Sequence, residues 1–270
     1  MGIFLCPPMF FNALKKAFQK GGYTITEGVK ELVSEENIIG IDMSGFFWAD
    51  LDTRESMAQA EKIILKRLSK PEEDGYVSYY INRRFSIPIS KYLVNTSLTP
   101  NMLTIISFLF STIGAILFLP GKSFLTIIAG TIVQLSSIVD GCDGEVARLK
   151  LRVSPFGGWF DTILDRYADT VIVVGIVYGY FLNHQVIYVW LLGIFALLGF
   201  ILISLSRKEY QIRYKKDPPI TVLYKLSKRD CRLFGIFLGS IFLCPFEMLV
   251  LLGIFSHLVI FFNFIKENIN

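Results

Sequence analysis

Polar and apolar positions are unevenly distributed along this chain. Up to about residue 98 they mix on a short scale, whereas from Thr99 onward apolar stretches of membrane-spanning length recur between brief polar turns. The pattern predicts six spans. The first runs from Asn101 to Leu119, with Thr99 as N-cap and Pro100 at the first helical position, and Pro120-Gly121 ends it. The second runs from Phe124 to near Leu149, the third from Gly157 to Leu182 and the fourth from Val186 to Ser206. The fifth, Leu233 to Leu243, is short unless it begins near Arg229, and Pro245 closes it. The sixth covers Met248 to Ile265.

Ahead of the first span, Tyr79 to Val94 mixes Arg83, Arg84 and Lys91 with apolar residues. It reads as an interfacial juxtamembrane helix, bent or interrupted at Pro88, with a linker helix as the plainer alternative. Pro71 to Gly75 reads as a hinge. Upstream, Thr24 to Val33 predicts a short capped helix, Ile38 to Met43 a strand, and Arg54 to Leu68 a helix. The expected organisation is a short α/β segment over residues 1–70, a hinge and juxtamembrane helix over 71–98, and an all-α polytopic membrane domain over 99–270.

Composition supports this division. The chain is 53% hydrophobic with 24 Phe among 270 residues, which places most of it in lipid. A net charge of +4 is mild and does not call for nucleic acid, because the basic residues gather in two membrane-flanking loops. One holds Arg148, Lys150 and Arg152, the other the cations between Arg207 and Arg232, whereas the opposite-side loops offer only Lys122. By the positive-inside rule both termini face the cytosol, as expected of a multi-pass protein of the cytoplasmic membrane. Met1 to Phe11 has two prolines and no basic start, so no signal peptide is expected. Cys6, Cys142, Cys231 and Cys244 have no metal or disulfide spacing and read as free thiols.

Four aspartates interrupt the apolar domain. Asp140 and Asp143 are three apart, Asp161 and Asp165 four apart, so each pair shares one helix face. A carboxylate near a bilayer core costs roughly 2.5–3.5 kcal/mol even on the most lenient scale, so the cluster needs compensation. Arg148 and Arg166 are near enough in sequence to pair, which leaves two carboxylates over. Two divalent cations with all-oxygen ligation would balance all four, Mg²⁺ being preferred and Mn²⁺ able to substitute. A structural ion pair or a proton relay is the alternative. Asp169 continues the acidic stripe and is expected to partner Arg166 or a basic loop residue. A transporter with an intramembrane cation site is the competing class, but no internal repeat is evident.

The pattern Asp-x-x-Asp-Gly-x-x-Ala-Arg, eight residues, then Gly-x-x-x-Asp-x-x-x-Asp is filled by Asp140, Asp143, Gly144, Ala147, Arg148, Gly157, Asp161 and Asp165. It resembles the signature of the CDP-alcohol phosphotransferase family, and the likeness extends over roughly residues 85 to 265. The resemblance implies six membrane helices and transfer of a substituted phosphate from a CDP-alcohol to an acceptor hydroxyl, with release of CMP. It implies metal ligation by Asp140, Asp143, Asp161 and Asp165, with Asp165 also the general base. Nucleotide contacts are implied for Asp140, Asp143, Gly144, Ala147, Arg148 and Gly157, although close helix packing explains each small residue equally well. Arg207, Arg213, Arg229 and Arg232, with Lys228, are candidates for an anionic alcohol-phosphate acceptor, and positive-inside anchoring accounts for any one of them as well. Membrane lipid is the surrounding partner, and the resemblance leaves room for a homodimer and a separate cytidylyltransferase.

Phe46 to Thr53, which contains Trp48-Ala49-Asp50, is similar to the C-terminal end of sugar-phosphate nucleotidyltransferase domains. Residues 1–70 would then be a remnant of such a domain, too short for its nucleotide pocket, with Asp50 and Asp52 orphaned. Asn82 to Ser90 and Leu98 to Asn101 are worded like the subgroup in which that domain precedes the phosphotransferase. There the donor is CDP-inositol and the acceptor inositol phosphate, which makes a polar CDP-alcohol the leading donor. CDP-diacylglycerol or CDP-archaeol, in a phospholipid synthase, is the rival.

Overall fold

A computed structural model describes residue 8 and residues 10–34, 49, 52–69, 71, 74–215 and 222–269. The chain divides into two compact units, Met1–Ser56 and Met57–Asn270.

In the first unit, α1 (Phe10–Gln19) places Phe10, Ala13, Leu14 and Ala17 at the i, i+3, i+4, i+7 spacing of one helix face. That face packs against Val29 and Leu32 of α2 (Ile25–Ser34). Thr24 starts α2 through a capping box. Its Oγ1 accepts from the Glu27 N–H at 3.3 Å, and the Glu27 carboxylate accepts from the Thr24 N–H at 2.9 Å. The capped helix is thus where the sequence predicts it, whereas α1 is an addition to that reading. The predicted strand Ile38 to Met43, and Asp50, lie outside the described residues.

The second unit begins with α3 (Arg54–Lys66) and a π-helical turn, Ser78–Asn82, that leads directly into α4 (Arg83–Leu93). Pro88 lies inside α4, which continues through it without the interruption that was one of the two expected outcomes. Next come α5 (Pro100–Phe118), α6 (Ser123–Leu149), α7 (Pro155–His184) and α8 (Tyr188–Tyr214). The short α9 (Val222–Leu226), then α10 (Arg229–Ile241) and α11 (Pro245–Ile269) complete the order. Two starts follow from sequence chemistry: Thr99 Oγ1 accepts from the Met102 N–H at 3.3 Å and Ser154 Oγ from the Gly157 N–H at 3.0 Å. Each of these caps precedes a proline, Pro100 and Pro155, at the first helical position.

Among the described residues, four helices are long and apolar enough to cross a membrane: Pro100–Phe118, Ser123–Leu149, Tyr188–Tyr214 and Pro245–Lys266. Two of the six predicted spans fall outside that set. One, α7, carries Asp161, Asp165, Arg166 and Asp169 in its first half. The other, α10, has 13 residues, about 20 Å of helix at 1.5 Å per residue.

Helix α5 packs on α6 and α7, α8 on α7 and α11, and α10 on α6 and α11. Phe118, Val133, Ile172, Ile176, Phe200, Ile236 and Leu249 fill the core between them. Outward faces are apolar as well, as at Leu109, Ile113 and Ile116 on α5 and Leu191, Ile194 and Leu198 on α8. Such faces suit a lipid surround.

Between α5 and α7 the backbones touch. A Cβ on Gly175 would lie 2.4 Å from the Ala115 carbonyl oxygen, and one on Gly179 2.1 Å from that of Phe118. Only hydrogen fits at these positions, as in small-residue interfaces between membrane helices. Gly179→Val should therefore separate the two helices and destabilise the protein by about 1–3 kcal/mol, the usual range for overpacking. Thermal unfolding in detergent checks this against Gly158→Ala, a position where an added Cβ meets nothing within 4 Å.

Candidate active site

Helix α6 delivers Asp140 and Asp143 from its last turns, and α7 delivers Asp161 and Asp165 from its second and third. The 150–154 turn brings these two ends together. Carboxylate oxygens of Asp140, Asp161 and Asp165 lie within 4.8 Å of one another, close enough for one cation to bind all three. Asp143, three residues beyond Asp140 along α6, lies outside this group of three. Three oxygen donors at this spacing fit a hard divalent cation.

Helix α5 supplies the neutral donors. Thr104 Oγ1 donates to Asp143 Oδ2 at 2.5 Å and Ser107 Oγ to Asp140 Oδ1 at 3.0 Å. Their i, i+3 spacing places both on one face of α5. The Gly144 N–H also donates to Asp143.

Of the two arginines the sequence suggested, Arg166 reaches Asp165 Oδ2 at 3.8 Å, and a further cation joins from α10. Arg229, 64 residues beyond Asp165, bridges Asp165 Oδ1 at 2.7 Å and Asp140 Oδ2 at 3.0 Å through one Nη1. Its Nε donates to Asp169 Oδ1 at 3.1 Å. Arg166 and Arg232 reach the other oxygen of Asp169 at 3.0 and 3.5 Å. Asp169 is thus the hub of three guanidiniums, as its reading as a structural partner of Arg166 and the basic loop anticipated. Five carboxylates (Asp140, Asp143, Asp161, Asp165 and Asp169) face three guanidiniums (Arg166, Arg229 and Arg232), so two negative charges remain. That excess and the all-oxygen donor set match what a divalent cation would neutralise.

A cleft of about 350 Å³ opens beside Asp140 and Asp165. Arg166, Arg207, Lys208, Lys228 and Arg229 make its lining strongly basic, while Asp74, Ser78, Asn82, Ser137 and Asp230 add polar and acidic groups. Arg207 and Lys228 both lie over the Tyr224 ring, 5.5 and 5.7 Å from its centroid. Burial, with the nearby Arg207 charge, holds the Lys228 ammonium below its usual pKa.

The four arginines predicted for the acceptor separate here. Arg207 and Arg229 line the cleft. Arg232 is only 2% exposed, stacks over Phe200 at 4.4 Å and donates to the Phe200 carbonyl at 2.9 Å, so it braces the bundle. Arg213 is exposed and pairs with Glu209 one turn away at 3.2 Å. Gly144, Ala147, Arg148 and Gly157 sit at the ends of α6 and α7 outside the cleft lining. Sequence reading missed Thr104, Ser107, Asp74, Lys208 and Asp230. Only the hydroxyls left a sign, as polar positions inside an apolar span.

A sequence profile described as CDP-alcohol phosphatidyltransferase matches residues 97–263. A protein of Aquifex aeolicus named "Bifunctional IPC transferase and DIPP synthase" is 33% identical over 234 residues, 85% of this chain and 53% of that protein. The protein of the same name from Thermococcus kodakarensis is 35% identical over 80% of this chain and 48% of its own length. The chain therefore spans about half the length of these relatives. An "Archaetidylinositol phosphate synthase" of Pyrococcus horikoshii is 31% identical over 57% of this chain and 75% of that protein. The fold is also that of the phosphatidylinositol phosphate synthase of Mycobacterium tuberculosis, crystallised with CDP-DAG bound. The TM-score is 0.55 and the identity 21%, over 67% of this chain and 92% of that one. Its complex with manganese and citrate aligns with a TM-score of 0.53 and 21% identity, over 66% and 86% of the two chains.

Asp169→Asn should leave the arginine hub without its charge and destabilise the protein by about 3–5 kcal/mol, the usual cost of removing one partner from a buried ion pair. A thermal melt in detergent reads this, and an unchanged midpoint would mean that the hub adds nothing to stability.

Proposed function

The chain belongs to the CDP-alcohol phosphatidyltransferase family, and we propose that it transfers a substituted phosphate from a CDP-alcohol to an acceptor hydroxyl and releases CMP. The convergence of Asp140, Asp161 and Asp165 within 4.8 Å, beside a basic cleft, is the observation that carries this reading. The six helices α5–α8, α10 and α11 cross the cytoplasmic membrane, with both termini and the carboxylates on the cytosolic side, in keeping with the basic loops.

Asp140, Asp143, Asp161 and Asp165 would hold Mg²⁺, two ions as the family signature implies, and Mn²⁺ would substitute. Bound metal supplies positive charge to the donor diphosphate and to the departing CMP. The protein does the rest. Gly144, Ala147 and Gly157 leave room for the nucleotide, and Arg148 offers a planar fork to its phosphates. The acceptor phosphate binds in the cleft against Arg207, Arg229, Lys208 and Lys228, where charge-assisted bonds orient it. Asp165 lines that cleft and takes the proton from the attacking hydroxyl as general base.

CDP-inositol is the leading donor and inositol phosphate the acceptor, a reading supported by two relatives named for IPC transfer and DIPP synthesis. A separate cytidylyltransferase would make that donor. A lipid donor is the second reading, favoured by the archaetidylinositol phosphate synthase relative and by the CDP-DAG bound in the structural neighbour.

Two outcomes test the reaction. EDTA should abolish CMP release and Mg²⁺ or Mn²⁺ restore it. Asp165→Asn should slow turnover by about 10²–10⁴-fold, the range of general acid–base catalysis, with donor binding retained. Activity that persists in EDTA would remove the metal from the reading.

For the substrate, CMP release with CDP-inositol and inositol phosphate should exceed that with CDP-diacylglycerol or CDP-archaeol and the same acceptor. Turnover with a lipid donor alone would make the chain a phospholipid synthase and leave its carboxylate chemistry as proposed.

A further inference from the structure

The cleft has one wall that the aspartate signature does not contribute. Asp74, Gly75, Ser78, Asn82 and Arg83 line it from the segment before α4. That segment is fastened to two helices of the bundle. Asp230 of α10 accepts from the Ser78 N–H at 2.6 Å, and it packs so closely that a Cβ on Gly75 would lie 2.3 Å from its Oδ1. Asn82 reaches α6, its Nδ2 donating to Ser137 Oγ at 3.0 Å and its Oδ1 accepting from Gln134 Nε2 at 2.8 Å.

Arg83 closes the arrangement. Its Nε and Nη2 hold both oxygens of Asp74, at 3.2 and 2.8 Å. Its Nη1 reaches the Gly141 carbonyl at 3.4 Å and donates to Glu145 Oε1. Ser86 Oγ donates to that same oxygen at 2.6 Å. Glu145 is fully buried, and a carboxylate there requires a cation. Burial works against the Arg83 charge, yet the hydrogen bonds and charges of Asp74 and Glu145 outweigh it and keep its pKa above the ordinary value. Gly141 and Glu145 occupy unspecified positions of the signature, one directly after Asp140, the other directly after Gly144. Arg83 therefore binds the wall to the backbone that carries a candidate metal ligand.

We propose that Arg83 is a positioning residue that seats residues 74–83 as a wall of the cleft and thereby sets the fit of the acceptor, acting through Asp74 on one side and through Gly141 and Glu145 on the other. The proposal rests on the reading of the cleft as the acceptor's place. Of the residues expected to meet the nucleotide, Asp140 lines the cleft whereas Gly144, Ala147, Arg148 and Gly157 do not, so donor binding should be less sensitive to the wall than acceptor binding.

The test uses the full chain in detergent with Mg²⁺, CDP-inositol and inositol phosphate, and compares wild type with Arg83→Lys and Asp74→Asn. Both variants should raise the acceptor KM, on the order of tenfold for Arg83→Lys as hydrogen bonds to charged partners are lost, and raise the donor KM by clearly less. Lysine should fail to rescue, because one ammonium cannot span two carboxylates and a carbonyl as a planar fork does. Amide hydrogen exchange at residues 74–82 should quicken in both variants, while α6 and α10 keep their protection. Asp74→Asn is isosteric and keeps the test open if Arg83→Lys fails to fold. Equal loss of donor and acceptor affinity would reduce Arg83 to general support and overturn the proposal, as would unchanged exchange at 74–82. If wild type released no CMP from any donor, the proposed reaction would fall, and the exchange measurement would still decide whether Arg83 seats the wall.

Discussion

Everything in this bundle is arranged around unbalanced negative charge in an apolar setting. Five aspartates converge where α6, α7 and α10 meet, and three arginines answer them. Desolvated charges are tolerated only when paired and hydrogen-bonded. Asp140, Asp143, Asp165 and Asp169 accordingly draw partners from another helix or another turn: Thr104 and Ser107 from α5, Arg229 and Arg232 from α10, Arg166 from α7 itself. The same demand that recruits these side chains leaves a net deficit at Asp140, Asp161 and Asp165, the place where a cation would be held. Fold and site share one electrostatic requirement.

Close packing makes this convergence possible. Gly175 and Gly179 let α7 run against the α5 backbone, while Thr104 and Ser107 of the same helix reach the carboxylates of α6. Dispersion and backbone proximity do the work here, since lipid removes the hydrophobic drive for helix association. The Arg232 guanidinium is absorbed in the same way, stacked on Phe200 and bonded to its carbonyl.

Much of this was readable from residues alone because it is local. The helix start at Thr99-Pro100 follows from capping chemistry, and the aspartate spacing of three and four places each pair on one face. What could not be read depends on tertiary proximity. Arg229 partners Asp165 across 64 residues, and Arg83 partners Glu145 across 62. Sequence distance had pointed to Arg166, which does pair with Asp165 at 3.8 Å, and to Arg148, and it could not reach Arg229. The arginines meant for the acceptor divided for the same reason, since Arg207 and Arg232 look alike in a basic loop and only packing turns one to the cleft and the other to Phe200. At Pro88 the local rule allowed either a bend or a break, and α4, packed on α6, runs through the proline unbroken.

Thr104 and Ser107 ride on α5, whose 19 residues give a helix of about 28 Å, close to the hydrocarbon thickness of an ordinary bilayer. A helix matched so closely has little slack. In a thinner membrane it answers by tilting, and tilt of α5 would move both hydroxyls relative to Asp143 and Asp140, which belong to a longer neighbour. The geometry of the carboxylates is therefore mechanically linked to the lipid around them, and membrane composition becomes a variable of the chemistry as well as its setting.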